Sequence, residues 1–155
     1  MKKFLSLLLA LLCVAALPAC SGFEKTEKDV LSSMIGKIDL SKGEVTTYAS
    51  EHEVLNKGTT YGEVLFSDDS FLGTVKSHKD WKSLPMSEDA STLFFGGEMP
   101  LFPAVTNGYY YFRDRHKDCT DATDESQFLK RETLNYTVAV YNADTKMLYV
   151  YVYNT

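Results

Sequence analysis

Three side chains suited to nucleophilic chemistry lie close together in one polar segment of the sequence. Asp114, His116 and Cys119 supply an acid, a base and a thiol. Thiol-dependent enzymes and hydrolases use such a set, in which the base takes the proton of the nucleophile and a third group orients the base. Residues so near one another along a single loop seldom reach that geometry. We therefore expect no catalytic residues, and we keep an extracytoplasmic hydrolase or thiol-dependent enzyme using residues 114–119 as the alternative.

The same segment has enough carboxylates to raise the question of a calcium site. An EF-hand loop needs acidic or amide residues at alternating positions, then a glycine and a closing glutamate, and no phase of this segment matches. Arg113, Arg115 and Lys117 also neutralise part of its charge. The sequence has no H-E-x-x-H, no G-x-S-x-G and no histidine pair spaced for zinc. We expect a solvated connection here, with no metal and no cofactor.

Tyrosines alternate along two predicted strands near the carboxyl terminus. Successive side chains of a strand point to opposite faces of the sheet. Tyr149, Tyr151 and Tyr153 therefore share one face of their strand, and Tyr109 and Tyr111 alternate similarly on another. If the aliphatic face packs on helices, the tyrosines face solvent or a partner, and aromatic rings with polar tips suit a sugar, a peptide or a protein. These five are the candidate binding surface, although tyrosine also favours half-buried strand positions for structural reasons.

The helices that must support these strands follow from the spacing of apolar residues. Thr26 and Asp29 resemble a capping box, and apolar residues at helical spacing over residues 30–38 predict a first helix behind it. A second helix is predicted over residues 68–81 and a third over residues 87–95, which two glycines end.

Five segments rich in valine, threonine and aromatic residues predict the strands. They are residues 44–50, 59–67, 109–113, 134–142 and 147–153. A turn is predicted at residues 56–58, and the last two strands form a hairpin. The expected fold is α+β: an antiparallel sheet of about five strands with two or three helices on one face, in a single domain over residues 29–155.

The amino terminus has the pattern of an export signal. Lys2 and Lys3 precede an apolar block over residues 4–17, which is shorter than the roughly 20 residues of a membrane-spanning helix. The block ends in Leu-Pro-Ala-Cys at residues 17–20. This tetrapeptide resembles the lipobox of bacterial lipoproteins, which has an aliphatic, a variable and a small residue followed by cysteine.

The lipobox resemblance implies how the chain is processed and where it resides. Residues 1–19 would be a signal peptide that is removed, and residues 20–28 would be a lipidated Cys20 with a short tether. Cys20 would carry a diacylglycerol thioether, with its amino group acylated, for example by palmitate, and several acyl chains on one residue make membrane dissociation negligible. The location would be the extracytoplasmic face of the cell membrane, or the outer membrane in a Gram-negative host because Ser21 follows the cysteine.

The remainder of the chain is acidic. Two of the 16 lysines and arginines precede Cys20, which leaves 14 against 21 aspartates and glutamates, a formal charge of −7 for residues 20–155. Nucleic acid and anionic lipid surfaces would repel such a body, so we expect no nucleic-acid partner and assign membrane attachment to the lipid.

Residues 107–118 and the terminal hairpin resemble small Gram-positive lipoproteins with no assigned function, so that resemblance supplies no activity. The expected function is a membrane-anchored lipoprotein of the bacterial cell envelope, acting as a binding or interaction module and not as an enzyme. Its expected partner is a cell-envelope protein or glycan.

Overall fold

A computed structural model describes residues 25–52 and 57–155 of the chain. The predicted signal peptide, Cys20 and most of the tether lie outside these residues, and so does part of the predicted turn at residues 56–58. Within the described part, three α-helices and a six-stranded antiparallel sheet form one α+β domain, which confirms the predicted class. No helix in this part is long and apolar enough to cross a membrane.

The elements follow one another in an order that mixes helices and strands. The helices are α1 Glu27–Met34, α2 Ser70–Ser77 and α3 Glu88–Phe95, with a 3-10 turn at Phe128–Lys130. The strands are β1 Gly43–His52, β2 Gly58–Phe66, β3 Trp81–Ser83, β4 Gly108–Asp114, β5 Tyr136–Asn142 and β6 Met147–Asn154.

The sheet contains two hairpins, β1-β2 and β5-β6, which lie side by side, and it continues through β4 and β3 beyond β5. Its strand order is β1-β2-β6-β5-β4-β3, and every neighbouring pair is antiparallel. The terminal strand β6 lies between β2 and β5, with Tyr61 opposite Tyr151 on one side and Val138 opposite Tyr151 on the other. The last strand of the chain therefore joins the amino-terminal hairpin to the rest of the domain.

Helices cover both faces of the sheet. On the first face, α1 and α2 pack on β2, β5 and β6 through buried residues such as Leu31, Val75 and Val150. On the second face, α3 and the 3-10 turn pack on β4 and β5, where Phe94 and Val138 are fully buried. The expectation that all helices lie on one face is therefore corrected. The central strands are apolar on both sides, so each side needs a cover.

Local hydrogen bonds fix both ends of α1. The Thr26 hydroxyl accepts from the Asp29 backbone N–H at 3.2 Å while the Asp29 carboxylate accepts from the Thr26 N–H at 3.0 Å, so the predicted capping box is present. At the other end Gly36 has a φ of +86°, and the N–H of Lys37 donates to the Ser32 carbonyl at 2.8 Å. This Schellman arrangement stops the helix although apolar residues continue beyond it.

Candidate functional site

An aromatic row lies on the second face of the sheet, at its β2 and β6 side. The side chains of Tyr149, Tyr151 and Tyr153 reach this face from β6. Tyr61 of β2 stands opposite Tyr151 and packs on the same hydrophobic cluster. We call Tyr61, Tyr149, Tyr151 and Tyr153 the tyrosine face. The sequence-based prediction omits Tyr61, because alternation along β2 alone does not show that Tyr61 shares a face with the tyrosines of β6.

The rings of the tyrosine face are covered to different degrees. Tyr149 is 9% exposed, because Phe102 from the loop after α3 packs on it with ring centroids 6.0 Å apart. Tyr61, Tyr151 and Tyr153 are half-buried. Tyr136 is buried beside them, with its ring centroid 6.2 Å from that of Tyr151 and 5.9 Å from that of Tyr153. The accessible rings therefore rest on a packed aromatic floor that holds them in place.

A carboxylate lies within the tyrosine face. Glu63, opposite Tyr149 in the register, accepts from the Tyr61 hydroxyl at 2.6 Å and from the Thr47 hydroxyl at 3.0 Å. Burial and the bond to Glu63 raise the pKa of Tyr61, and burial raises the pKa of Tyr149 and Tyr151. These hydroxyls consequently stay protonated at neutral pH and remain hydrogen-bond donors.

Tyr109 and Tyr111 belong to the opposite face of the sheet. Tyr111 pairs with Ala139, which in turn pairs with Val150, so all three side chains point to the first face under α1 and α2. Tyr111 is 2% exposed and Tyr109 is half-buried against the same cluster. The five tyrosines selected from the sequence are thus divided between two faces, and only those of β6 lie together with Tyr61.

The three reactive side chains of the polar segment have separate partners. Asp114 is buried, and its carboxylate accepts from Arg131 at 3.0 Å and from the His116 backbone N–H at 2.9 Å. The His116 ring Nε2 is 2.8 Å from the Thr133 carbonyl oxygen, and the Cys119 sulfur contacts the Asp114 carbonyl oxygen at 3.8 Å. Of the hydrogen bonds in the described residues, none joins this thiol to the imidazole.

The acidic side chains of the same segment are used in local turns. Asp121 accepts from the backbone N–H and hydroxyl of Thr123, and Asp124 accepts likewise from Ser126. These hydrogen bonds lower the pKa of both carboxyl groups. Over residues 25–52 and 57–155, no group of three or more His, Cys, Asp or Glu side chains is arranged to hold a metal ion.

Comparisons of this chain with protein-family models, with curated proteins and with solved structures found no match. The geometry of its own residues is therefore the basis for assigning a function.

Proposed function

We propose that this chain is a lipid-anchored, extracytoplasmic binding module that contacts a cell-envelope glycan through the tyrosine face. One observation carries the proposal: Tyr61 and Tyr151 are half-buried and directly opposite each other, and the Tyr61 hydroxyl is fixed by the Glu63 carboxylate. Aromatic rings held in this way offer a flat apolar surface with polar groups at its border.

The chemistry of this face suits a sugar better than a protein. A sugar ring presents C–H groups that pack on an aromatic ring and hydroxyls that pair with a carboxylate or a phenol. The core of a protein interface needs a larger apolar area. In the part of the chain that the structure describes, Leu65 is the sole large hydrophobic residue of β2 or β6 that is classed as exposed, and its exposure is 37%.

The proposed anchor limits where such a glycan can be. The lipidated residue would be Cys20 and α1 is capped at Thr26, so the tether between them spans at most about 20 Å even when fully extended. Within the proposal, the domain therefore reaches glycans close to the membrane surface. Mass spectrometry of the native product tests the anchor itself, because an unmodified thiol at Cys20 would contradict it.

The binding proposal is tested with alanine variants on the two faces of the sheet. The full chain in detergent micelles is mixed with insoluble cell-wall glycan that protease treatment has freed of protein, and the retained fraction is measured after sedimentation. We expect Tyr61→Ala and Tyr151→Ala each to weaken retention by about five- to tenfold, since one aromatic contact contributes about 1 to 1.4 kcal/mol. Tyr109→Ala is the matched control on the first face and should bind as the unmodified chain does.

Three outcomes are informative. Equal retention of all the variants, with circular dichroism showing intact folding, would overturn the role of the tyrosine face. Capture of envelope proteins without retention on protein-free glycan would replace the glycan by a protein partner. If His116→Ala and Cys119→Ser lost catalytic turnover while retention on the glycan stayed unchanged, the result would instead favour an enzyme that uses residues 114–119.

A further inference from the structure

A cavity of about 460 Å³ lies on the first face, on the opposite side of the sheet from the tyrosine face. The end of α1 contributes Met34 and Lys37 to its wall. Strand β4 contributes Tyr111 and Arg113, and Arg115 follows directly after that strand. The volume exceeds that of an inorganic ion and suits a small organic molecule.

The charge of this cavity is opposite to that of the domain. Three cationic side chains line it, Lys37, Arg113 and Arg115, against one carboxylate, Asp80. Residues 20–155 as a whole carry a formal charge of −7, from 14 basic and 21 acidic side chains. A concave site lined by one sign of charge concentrates ligands of the other sign. The local positive charge therefore favours the binding of a small anion in this cavity, although the domain as a whole is negatively charged.

Arg115 carries a charge that no carboxylate in the described residues offsets. One terminal nitrogen of its guanidinium donates to the carbonyl oxygens of Tyr136 at 3.4 Å and Tyr153 at 3.1 Å, and to the Asn154 side-chain oxygen. All three acceptors are neutral. Its Nε is buried and has no partner within the described part of the chain. Half-burying an unpaired guanidinium is costly, and an anion bound in the cavity would offset that cost.

Within the residues that the structure describes, Lys37 and Arg113 have no ion pair either. The ion pairs found in the described ranges are Lys82 with Glu125, Arg131 with Asp114 and Lys146 with Asp69. Arg115 can be explained in part as a clip between β4 and its neighbours, because it binds their backbone oxygens. That explanation does not extend to Lys37 and Arg113, which are exposed at the rim of the same cavity.

The backbone brings Lys37 to the cavity in an unfavourable conformation. Its φ is +60°, in the left-handed region, directly after Gly36 at +86°. A residue with a Cβ atom pays roughly 1 kcal/mol or more there. The hydrogen bond from the Lys37 N–H to the Ser32 carbonyl at 2.8 Å holds this turn at the end of α1.

We propose that this cavity is a binding site for a small organic dianion, a phosphate monoester or a dicarboxylate. Arg113, Arg115 and Lys37 pair with its charged groups, and the half-buried Met34 contacts its carbon skeleton. Asp80 disfavours more highly charged anions. Paired guanidinium groups suit both phosphate and carboxylate because each presents parallel donors to two oxygens. The site lies apart from the tyrosine face and does not depend on the function proposed for that face.

Titration with two defined probes tests the site. Glycerol 3-phosphate and succinate are added separately to the full chain in detergent micelles, and binding is followed by calorimetry and by the fluorescence of Trp81. This is the sole tryptophan of the sequence, and its ring centroid is 5.9 Å from that of the lining Tyr111. We expect saturable binding of at least one probe, and the tighter of the two identifies phosphate or carboxylate as the preferred group.

Charge-removing variants distinguish this site from general attraction of anions. Arg113→Gln and Lys37→Gln change exposed side chains, so the fold is retained, and Arg113→Gln should weaken binding at least about tenfold. Lys130→Gln removes the same charge from an exposed position outside the cavity and should leave binding unchanged. Absence of saturable binding of both probes to the folded chain would overturn the proposal, and so would equal weakening in the control variant.

Discussion

Replacing Glu125, in the polar segment over residues 114–125, by alanine should strongly destabilise the domain, because this carboxylate is buried and accepts three hydrogen bonds. Glu125 is 7% exposed, and its carboxylate accepts from the Tyr110 hydroxyl at 2.8 Å, from Lys82 Nζ at 3.2 Å and from the Ser87 backbone N–H at 3.3 Å. These donors belong to β4, to β3 and to the residue that precedes α3. One buried carboxylate thus ties the segment to two strands and a helix.

The size of the effect follows from what each donor loses. Tyr110 is 4% exposed, so its hydroxyl would be left without a partner, at a cost of about 1 to 3 kcal/mol. Lys82 has a side chain that is 42% exposed and regains water, so its ion pair contributes little. With the Ser87 bond included, we expect Glu125→Ala to lower the free energy of unfolding by about 3 to 4 kcal/mol, or the melting temperature by about 10 °C.

Urea denaturation at pH 7 of Glu125→Ala, Tyr110→Phe and the double variant measures this effect. The sum of the losses in unfolding free energy in the two single variants should exceed the loss in the double variant by more than about 1 kcal/mol, because both substitutions remove the same hydrogen bond. Asp118→Ala changes an exposed carboxylate of the same segment and should stay within about 0.5 kcal/mol of the unmodified chain. A loss below about 1 kcal/mol for Glu125→Ala, or strict additivity with Tyr110→Phe, would refute the reasoning.

The same group makes the stability depend on pH. Burial by itself would raise the pKa of Glu125, but hydrogen bonds from the backbone, Tyr110 and Lys82 outweigh it and hold the pKa below its ordinary value. The folded state therefore binds this proton less readily than the unfolded chain. The stabilisation by Glu125 is complete above the unfolded pKa of about 4.3 and is lost as the pH falls through the lower folded value. The difference between the unmodified chain and Glu125→Ala should accordingly shrink in acid.

Three further substitutions test the packing of the two faces by the same denaturation assay. Gly62→Ala should cost about 1 to 3 kcal/mol, because the added methyl would lie 2.7 Å from the Leu31 methyl carbons. A neutral effect would contradict the close packing of α1 on β2. Phe94→Ala, at a fully buried position of α3, should cost about 3 to 5 kcal/mol, and a loss below about 1 kcal/mol would mean that α3 does not close the second face. Arg131→Ala should cost about 2 kcal/mol, because it leaves the buried Asp114 without its ion pair. The cost is smaller than for a fully buried pair because the Arg131 side chain is 25% exposed. No change in stability would show that the pair is not stabilising.

Local sequence patterns were sufficient to predict most elements. The capping box of Thr26 and Asp29 and the strands of the terminal hairpin are present close to where the sequence predicts them. Strand β3 is missing from the prediction, which places its first residue, Trp81, at the end of the second helix because Trp81 falls at helical spacing from earlier apolar residues; the helix itself ends at Ser77. Three residues are too few to show the alternation of a strand, and pairing with β4 is what makes them one.

The positions of the tyrosines show what such local patterns cannot predict. Alternation determines which residues of one strand share a face, but it does not relate the faces of different strands. That relation depends on the register, and a shift by one residue exchanges the faces. In the actual register Tyr111 lies with Val150, and Tyr61 lies with Tyr151. Membership of the candidate site was therefore not available from any single strand.

The charges of the polar segment illustrate the same limit at closer range. In sequence, Arg113 and Arg115 flank Asp114 and are expected to neutralise part of the negative charge of the segment. At the end of β4 they separate: Asp114 is buried and pairs with Arg131, whereas Arg113 and Arg115 line the cavity on the first face. Neighbouring residues of a strand end on opposite sides of a sheet, so one acidic residue can be neutralised from elsewhere while its neighbours remain available to a ligand. Net charge summed along a segment consequently hides a positively charged cavity, and the charge has to be counted separately for each face.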